Sequence, residues 1–228
     1  MTRPVVRTVT AVSAAASLLL SGCAVLQIRT AERDSGPLAV GVQEEPGEPT
    51  EEPTGPTIPE GMEMKSHNLG AECPVNVSFA IGPDWFDGSS SPAFIVYSRG
   101  TSLTDSDTII ISCNEAFDDS PKAVVDGKKQ YQFSEQGSTV NAERTGSIAS
   151  GYFWTYQAVL GEDEIFAINQ EPTVMYGATL GYQTNGRLVN ISVEMRALQT
   201  DEAAAEDFKK MLPTLTVDGE PVPSPTFK

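Results

Sequence analysis

Apolar and polar residues alternate along much of the middle of the chain, which predicts a domain built mainly from β-strands. Residues 75–81 carry apolar side chains at every second position, the period of a half-buried strand. Short β-branched or aromatic runs over 93–97 and 108–113 predict strands that are buried more completely. The pattern predicts a further strand over 152–159 and a weaker one over 164–168.

The strongest local signal is a hairpin near the end of the chain. Residues 176–183 and 188–197 flank the segment Thr184-Asn185-Gly186-Arg187. Asn-Gly favours a type I′ turn because both residues tolerate a positive φ. In the second strand, Val189, Ile191, Val193 and Met195 are predicted to face the core, and Asn190, Ser192, Glu194 and Arg196 to face outward.

One helix is predicted after this hairpin and one before it. The first has Thr200 as its N-cap and runs through Leu212, with Pro213 ending it. Its apolar residues recur on one face: Ala204, Phe208, Met211 and Leu212. The second begins at Ser120-Pro121, where serine caps the helix and proline occupies the first turn, and Gly127 leaves its length open.

The N-terminus has the pattern of an export signal. Arg3 and Arg7 precede an apolar run over 9–20, and Leu20-Ser21-Gly22-Cys23 matches a bacterial lipobox. We therefore expect cleavage after Gly22, with an S-diacylglycerol and an N-acyl chain on Cys23. The run is too short to span a bilayer, which needs about 20 residues. The alternative is an ordinary secretory signal with Cys23 near its cleavage site by chance.

Charge and composition set the expected layout and exclude one class of partner. The chain has a net charge of −16, and removing residues 1–22, with two arginines and no acid, leaves −18. Binding to nucleic acid is not expected, since it rewards clustered Lys and Arg. Residues 23–65 are rich in Pro and Glu, which predicts a disordered tether carrying the lipid. A partner or calcium site in this stretch is the weaker alternative.

Cysteine number points to one disulfide. If Cys23 is acylated, Cys73 and Cys113 remain as an even pair in an exported protein, where disulfides persist. The alternatives are a metal pair or redox thiols. The chain has no C-x-x-C motif, and His67 is its one histidine, so a zinc site would lack ligands. No metal and no cofactor are expected.

The order of elements resembles a known family. An opening strand leads into Pro83-Asp84-Trp85, and a strand with Gly151-Tyr152, the Asn-Gly hairpin and a helix running into 212–217 follow. Over about residues 70–218 this order resembles the actinobacterial Lpp-LpqN lipoproteins. The resemblance implies a PsbP-like α+β fold, an antiparallel β-sheet with helices packed on it. We expect one domain over 66–219 and a disordered tail over 220–228. The resemblance brings no catalytic residues with it.

The sequence contains no strong catalytic motif. His67 precedes every strong strand, Ser89-Ser90-Ser91 fits a loop, and no nucleophile elbow is present. The acidic candidates fall in predicted turns: Asp105/Asp107, Asp118/Asp119 and Glu162-Asp163-Glu164. The aromatics around 152–156 fit a core better than a ligand pocket. Trp85 and Phe86, in a loop after the first strand, are the candidate contact residues, with a buried loop anchor as the alternative.

These observations favour one function over another. The expected protein is exported and lipid-anchored to the outer face of a bacterial, actinobacterial, cell membrane. It would act without catalysis, by recognising envelope proteins or an apolar ligand in envelope maintenance. The alternative is an envelope hydrolase acting on a polysaccharide or lipid, which requires carboxylates, or a serine with a base, converging in one cleft.

Overall fold

A computed structural model describes residues 55–100 and 107–228 of the chain. The predicted signal peptide, the cleavage position after Gly22, the lipidation position Cys23 and most of the predicted tether lie outside the described residues. In chain order the elements are β1 (Glu63–Asn68), β2 (Asn76–Ile81), β3 (Phe86–Asp87), β4 (Phe94–Ser98), β5 (Thr108–Glu115), α1 (Pro121–Tyr131), β6 (Thr139–Ile148), β7 (Gly151–Leu160), β8 (Thr173–Thr184), β9 (Arg187–Leu198), α2 (Glu202–Met211), β10 (Thr216–Val217) and β11 (Glu220–Pro221). Short 3₁₀ turns cover Ile168–Gln170 and Leu212–Thr214.

The strands form two antiparallel sheets. The larger sheet has seven strands in the order β3-β4-β5-β9-β8-β7-β6, and the smaller has four in the order β1-β2-β10-β11. All the pairings between neighbouring strands are antiparallel. Helices α1 and α2 pack on these sheets, which confirms the predicted α+β class with helices on an antiparallel sheet.

The predicted hairpin is confirmed at its turn. Thr184 pairs with Arg187 at the ends of β8 and β9. Asn185 has a φ of 48° and Gly186 a φ of 75°, the two positive values that a type I′ turn requires. The turn sets the register of the longest pair of strands, and it places Val189, Ile191, Val193 and Met195 in the core as predicted.

Both faces of the larger sheet are covered. On one face, the core contains residues of the smaller sheet and of α2, including Phe79 and Phe208. On the other face, Val125 of α1 packs with Trp154 and Tyr156 of β7. The predicted outward residues of β9 lie on this second face, and Ser192, Glu194 and Arg196 are buried there, contrary to the prediction. The prediction failed because α1 and the loop after β7 cover a face that alternation alone assigns to solvent.

Both helices begin at a capped N-terminus. The Ser120 side chain accepts a hydrogen bond from the Ala123 backbone N–H at 3.2 Å, which confirms the predicted start of α1. For α2, the cap is Asp201 and not Thr200: the Asp201 carboxylate accepts from the Ala204 N–H at 2.9 Å. A carboxylate at this position also interacts favourably with the positive end of the helix dipole.

Two predicted segments differ from the structure. Residues 164–168 do not form a strand; they lie in turns that lead into the 3₁₀ turn at Ile168–Gln170. The domain also begins before residue 66, because β1 starts at Glu63 and pairs with β2. Polar composition concealed this edge strand.

The C-terminal tail is the third difference. Residues 220–228 were predicted to be disordered, but Glu220–Pro221 form β11 of the smaller sheet, and the residues after it lie against the larger sheet. Val222 is buried, the Phe227 ring lies 5.4 Å from the Tyr176 ring, and the Lys228 N–H donates to Gln157 at 3.1 Å. Pro221 is accommodated because β11 is a short edge strand, and Val222 and Phe227 bury apolar surface beyond it.

Cys73 and Cys113 form a disulfide, in the pairing expected from the sequence. Their Cα atoms are 6.2 Å apart, within the usual range for a disulfide. Cys73 lies in the connection between β1 and β2, and Cys113 lies in β5. The bond therefore joins the smaller sheet to the larger one.

Candidate recognition surface

The two predicted contact residues have opposite environments. Trp85 is 7% exposed, with its ring 5.8 Å from that of Phe208 and the Arg99 guanidinium 5.0 Å from its centroid. It is the buried loop anchor that the sequence left as the alternative. Phe86 is 65% exposed and begins the edge strand β3.

The aromatic residues of β7 and β8 form core and not a ligand pocket. Trp154 and Tyr156 are fully buried with ring centroids 4.4 Å apart, and Tyr176 is buried on the opposite face of the sheet. Their polar atoms have partners inside the protein: Trp154 Nε1 donates to Glu143 at 2.8 Å, and the Gln132 amide donates to the Tyr156 hydroxyl at 2.8 Å. Buried aromatic residues satisfied in this way stabilise the fold.

The histidine does not lie beside a nucleophile. His67 Nε2 lies 2.9 Å from the Tyr97 hydroxyl oxygen, and its ring packs near Phe79. Burial lowers the pKa of His67, with the negative charge of Asp87 opposing that shift. Ser89 hydrogen-bonds to Asp87 through both its hydroxyl and its backbone N–H. These hydrogen bonds satisfy polar groups of an edge strand and of a loop.

One group of carboxylates surrounds Arg99. The guanidinium pairs with Asp207 and lies 3.7 Å from Asp107. Burial, followed by the negative charge of Asp201, raises the pKa of Asp107 to about 6. Asp201 and Asp207 are already engaged, one capping α2 and the other paired with Arg99. Asp105 lies outside the described residues.

The other acidic candidates lie apart from this group. Asp118 and Asp119 precede α1, and Glu162-Asp163-Glu164 follows β7. Glu164 accepts a hydrogen bond from Ser138 Oγ at 2.9 Å. The described residues bring no nucleophile–histidine pair together, and they contain no group of three His, Cys, Asp or Glu side chains placed to hold a metal.

The largest exposed apolar side chains on the α1 side of the sheet lie along one path. Phe117, in the loop before α1, is 91% exposed, and Ile165, in the loop after β7, is 87% exposed. Tyr131 ends α1 between them, and Phe166 is also exposed. Single exposed apolar residues are common on proteins, whereas a continuous series marks an interaction surface.

Two open clefts connect these side chains. The first, about 570 Å³, is lined by Phe117, Lys128 and Tyr131 among others. The second, about 480 Å³, is lined by Lys128, Tyr131, Ile165 and Phe166 among others. Because Lys128 and Tyr131 line both clefts, the clefts adjoin. We call this surface the α1 groove, defined by Phe117, Val124, Lys128, Tyr131, Ile165 and Phe166.

The rim of the α1 groove is acidic. Lys128 is the one basic residue among those lining its two clefts, and the acidic ones are Glu115, Asp118, Glu135, Asp163 and Glu164. The groove therefore combines an apolar floor with a negative edge. Complementary charge would come from a basic partner.

Local sequence accounts for the groove, although the pattern did not predict it. Val125 is fully buried and anchors α1 to the sheet, and Gly181 of β8 faces Pro121 so closely that a Cβ would meet the Pro121 backbone. The glycine lets the helix approach and leaves Tyr131 at its exposed end. The sequence did contain one signal for an exposed contact residue, namely Phe117 between acidic residues in a predicted loop. The predicted strand over 164–168 concealed Ile165 and Phe166.

Comparisons with known proteins found remote structural similarities and no match by sequence. No protein-family model matches the sequence, and no curated protein matches it. Among solved structures, LpqN of Mycobacterium tuberculosis, described as involved in cell envelope biogenesis, is 15% identical and covers 71% of this chain and 92% of its own, with a TM-score of 0.44. The Ran-binding protein Mog1p of Saccharomyces cerevisiae is 14% identical and covers 69% of this chain and 96% of its own, with a TM-score of 0.41.

A third structure, the PA94 protein of Pseudomonas aeruginosa, described as a putative regulator, is 12% identical and covers 72% of this chain and 99% of its own, with a TM-score of 0.35. At these identities and scores the likenesses do not assign a function.

Neither helix in the described part of the chain has the length and apolar character needed to cross a bilayer. The functional argument therefore rests on the residues of this chain.

Proposed function

We propose that this protein is a bacterial lipoprotein, anchored through Cys23 to the outer face of the cell membrane, that binds another envelope protein through the α1 groove. It acts by recognition and not by catalysis. The observation that carries the proposal is that four exposed apolar side chains line two adjoining clefts: Phe117, Tyr131, Ile165 and Phe166. Membership of the actinobacterial Lpp-LpqN lipoproteins belongs to the proposal and rests on the order of sequence elements.

The lipobox supports the anchoring part of the proposal. A basic start, a short apolar run and Leu20-Ser21-Gly22-Cys23 are the features that lipoprotein processing needs. The Cys73–Cys113 disulfide is compatible with export, because disulfides persist in oxidising compartments. Two or more acyl chains on one residue give stable attachment, whereas a single chain binds reversibly.

The shape of the surface supports protein recognition over transport of an apolar ligand. The α1 groove is open, and the sheet beneath it is filled by large buried side chains such as Trp154 and Tyr156. Carriers of small apolar molecules enclose most of the ligand surface. An open apolar floor with a charged rim is typical of a protein interface.

The hydrolase alternative has less support. Its acids are distributed over three parts of the molecule: Asp107 beside Arg99, the loop before α1 and the loop after β7. Of these acids, Glu164 accepts a hydrogen bond from Ser138, and Asp107 lies 3.7 Å from the Arg99 guanidinium. Catalysis by paired carboxylates requires both groups at the same bond.

The experiment compares two sets of exposed side chains in one protein. The groove variant combines Phe117→Ser, Tyr131→Ser and Ile165→Ser, and the control variant combines Phe86→Ser and Phe94→Ser. All five residues are exposed, so both variants should fold. Each is expressed in the native host, crosslinked in the envelope and purified, and co-purifying proteins are quantified by mass spectrometry.

We expect one envelope protein with a basic surface to be lost selectively from the groove variant. Removing central apolar contacts should reduce its recovery by about 10-fold or more, as for interface residues worth about 2 kcal/mol. Equal recovery with wild type and groove variant would contradict the proposal. Loss of the same protein from the control variant would assign recognition to the β3–β4 edge instead.

A further inference from the structure

Arg196 is a buried cation that forms no ion pair with the residues that the structure describes. The residue is 9% exposed, and no acidic group of the described residues lies within ion-pair distance of its guanidinium. Its hydrogen bond within the described residues runs from one terminal nitrogen to the Phe166 carbonyl oxygen at 3.4 Å, and Nε is buried without a partner. Burial lowers the pKa of Arg196, and the attraction of the buried Glu194 carboxylate opposes that shift, so part of the charge is balanced within the protein. The unfilled hydrogen-bonding capacity of the guanidinium remains, and a buried donor without a partner is unfavourable.

The guanidinium lines a cleft of about 360 Å³ beside the α1 groove. The other lining residues are Thr108 and the segment 165–170, so Arg196 is the one charged residue among them. Glu194 lies on the same face of β9 but accepts a hydrogen bond from Ser192 at 3.2 Å and does not line the cleft. The lining of this cleft is therefore positively charged, although the chain as a whole has 31 acidic residues and a negative net charge.

The walls of the cleft combine apolar side chains with Thr108, Asn169 and Gln170, and they are held in place. The Phe166 ring lies 5.3 Å from the Arg196 guanidinium carbon and covers one of its faces, while Ile165 is exposed at the rim. Asn169 and Gln170 have φ values of 54° and 59°. The Ile168 N–H donates to Thr173 Oγ1 at 2.8 Å and fixes this loop. Non-glycine residues adopt such conformations only where the surroundings hold them.

We propose that this cleft binds the carboxylate of a small molecule or chain end that carries an apolar group. A guanidinium whose face is covered still offers its edge, and two parallel N–H donors match a carboxylate. One positive charge matches a monoanion, and the rim offers contact for an apolar chain. The net negative charge of the protein disfavours polyanions such as nucleic acids.

The inference goes beyond partner recognition by the α1 groove. Phe117 and Tyr131 could hold a protein whether or not the Arg196 cleft is filled. A negative result here leaves the recognition proposal standing, because Phe117 and Tyr131 do not line this cleft. Ile165 lines both surfaces, so ligand binding is measured with Ile165 intact and not in the groove variant. Two sources could supply the carboxylate: the head group of a free fatty acid or the C-terminus of a peptide.

The test uses the full chain with Cys23→Ala, so that no acyl chain of its own competes. Hexanoate and hexanamide are titrated while the Arg196 side-chain N–H and the Ala167 amide are followed by nuclear magnetic resonance. The two probes differ in charge and share the same apolar chain. N-acetylleucine and its amide form a second pair, and the carboxylate that binds more tightly identifies the source.

We expect both carboxylates to shift the two signals in a saturable manner and to bind about 10- to 100-fold more tightly than their amides, as for hydrogen bonds to a charged group. Arg196→Met should weaken hexanoate binding by a similar factor, because the cationic hydrogen-bond donor is removed. Arg187→Met, at the exposed start of the same strand, should leave binding unchanged.

Equal binding of acid and amide, or binding that survives Arg196→Met, would overturn the proposal. Phe166→Ala gives a second variant at an exposed ring, independent of any folding defect at Arg196. It should weaken hexanoate binding several-fold, and unchanged affinity would count against the site.

Discussion

Removing the Cys73–Cys113 disulfide should destabilise the domain by about 4 kcal/mol. The bond closes a loop with a sequence separation of 40, and the chain-entropy model gives about 4 kcal/mol at 25 °C for a loop of this size. For a domain of this length, that loss corresponds to a fall in melting temperature of about 8–16 °C. The cost is large because, in the chain-entropy model, the bond removes the entropy of a long loop from the unfolded chain.

The assay is equilibrium unfolding in urea of the Cys23→Ala chain, with and without the added Cys73→Ala and Cys113→Ala changes. We expect a lower midpoint and a steeper dependence on urea, because an unfolded chain without the crosslink exposes more surface. The reduced parent chain should unfold like the double variant, which separates loss of the bond from loss of the sulfur atoms. Equal midpoints for oxidised parent and double variant would refute the reasoning.

Two further predictions concern α1 and Asp107. Gly181→Ala should destabilise the protein by about 1–3 kcal/mol because the new methyl group meets the Pro121 backbone. Gly127→Ala lies in open space within α1 and should stabilise the protein by about 0.5–1 kcal/mol. Urea unfolding measures both free-energy changes, and changes of the same sign would contradict the described packing of α1. Asp107 has a pKa of about 6, above its ordinary 3.8, so the folded protein should lose stability as pH rises from about 4 to about 6. Asp107→Asn should flatten this dependence in melting curves recorded across that range, and identical pH profiles would contradict it.

Periodicity and turn chemistry were sufficient for most of the framework. Alternation located β2 and β9, and Asn185-Gly186 placed the central hairpin because few residue pairs accept two positive φ values. Ser120-Pro121 marked the start of α1 for a similarly local reason. Each of these signals depends on a few neighbouring residues.

The errors arose where tertiary contacts decide the outcome. Alternation identified two faces of β9 but not that α1 would cover the second one and bury Glu194 and Arg196. The tail was assigned to disorder from its prolines, while the burial of Val222 depends on surfaces far away in sequence. Trp85 illustrates the same limit, since its partner Phe208 lies in the closing helix.

The candidate site was the least predictable part. Phe117 and Ile165 are distant in sequence, and only the packing of α1 beside the loop after β7 brings them to one groove. Sequence could mark each residue as an apolar side chain in an acidic segment. It had no means of bringing the two together, or of showing that Arg196 would be buried beside them.

The central claim is that Cys23 carries the lipid that holds this domain at the membrane. Mass spectrometry of the N-terminal peptide of the protein purified from its native envelope tests it directly. The account predicts a mature chain beginning at Cys23, with the masses of a diacylglyceryl thioether and an amide-linked acyl chain on that residue. A mature chain beginning elsewhere, or an unmodified Cys23, would contradict it.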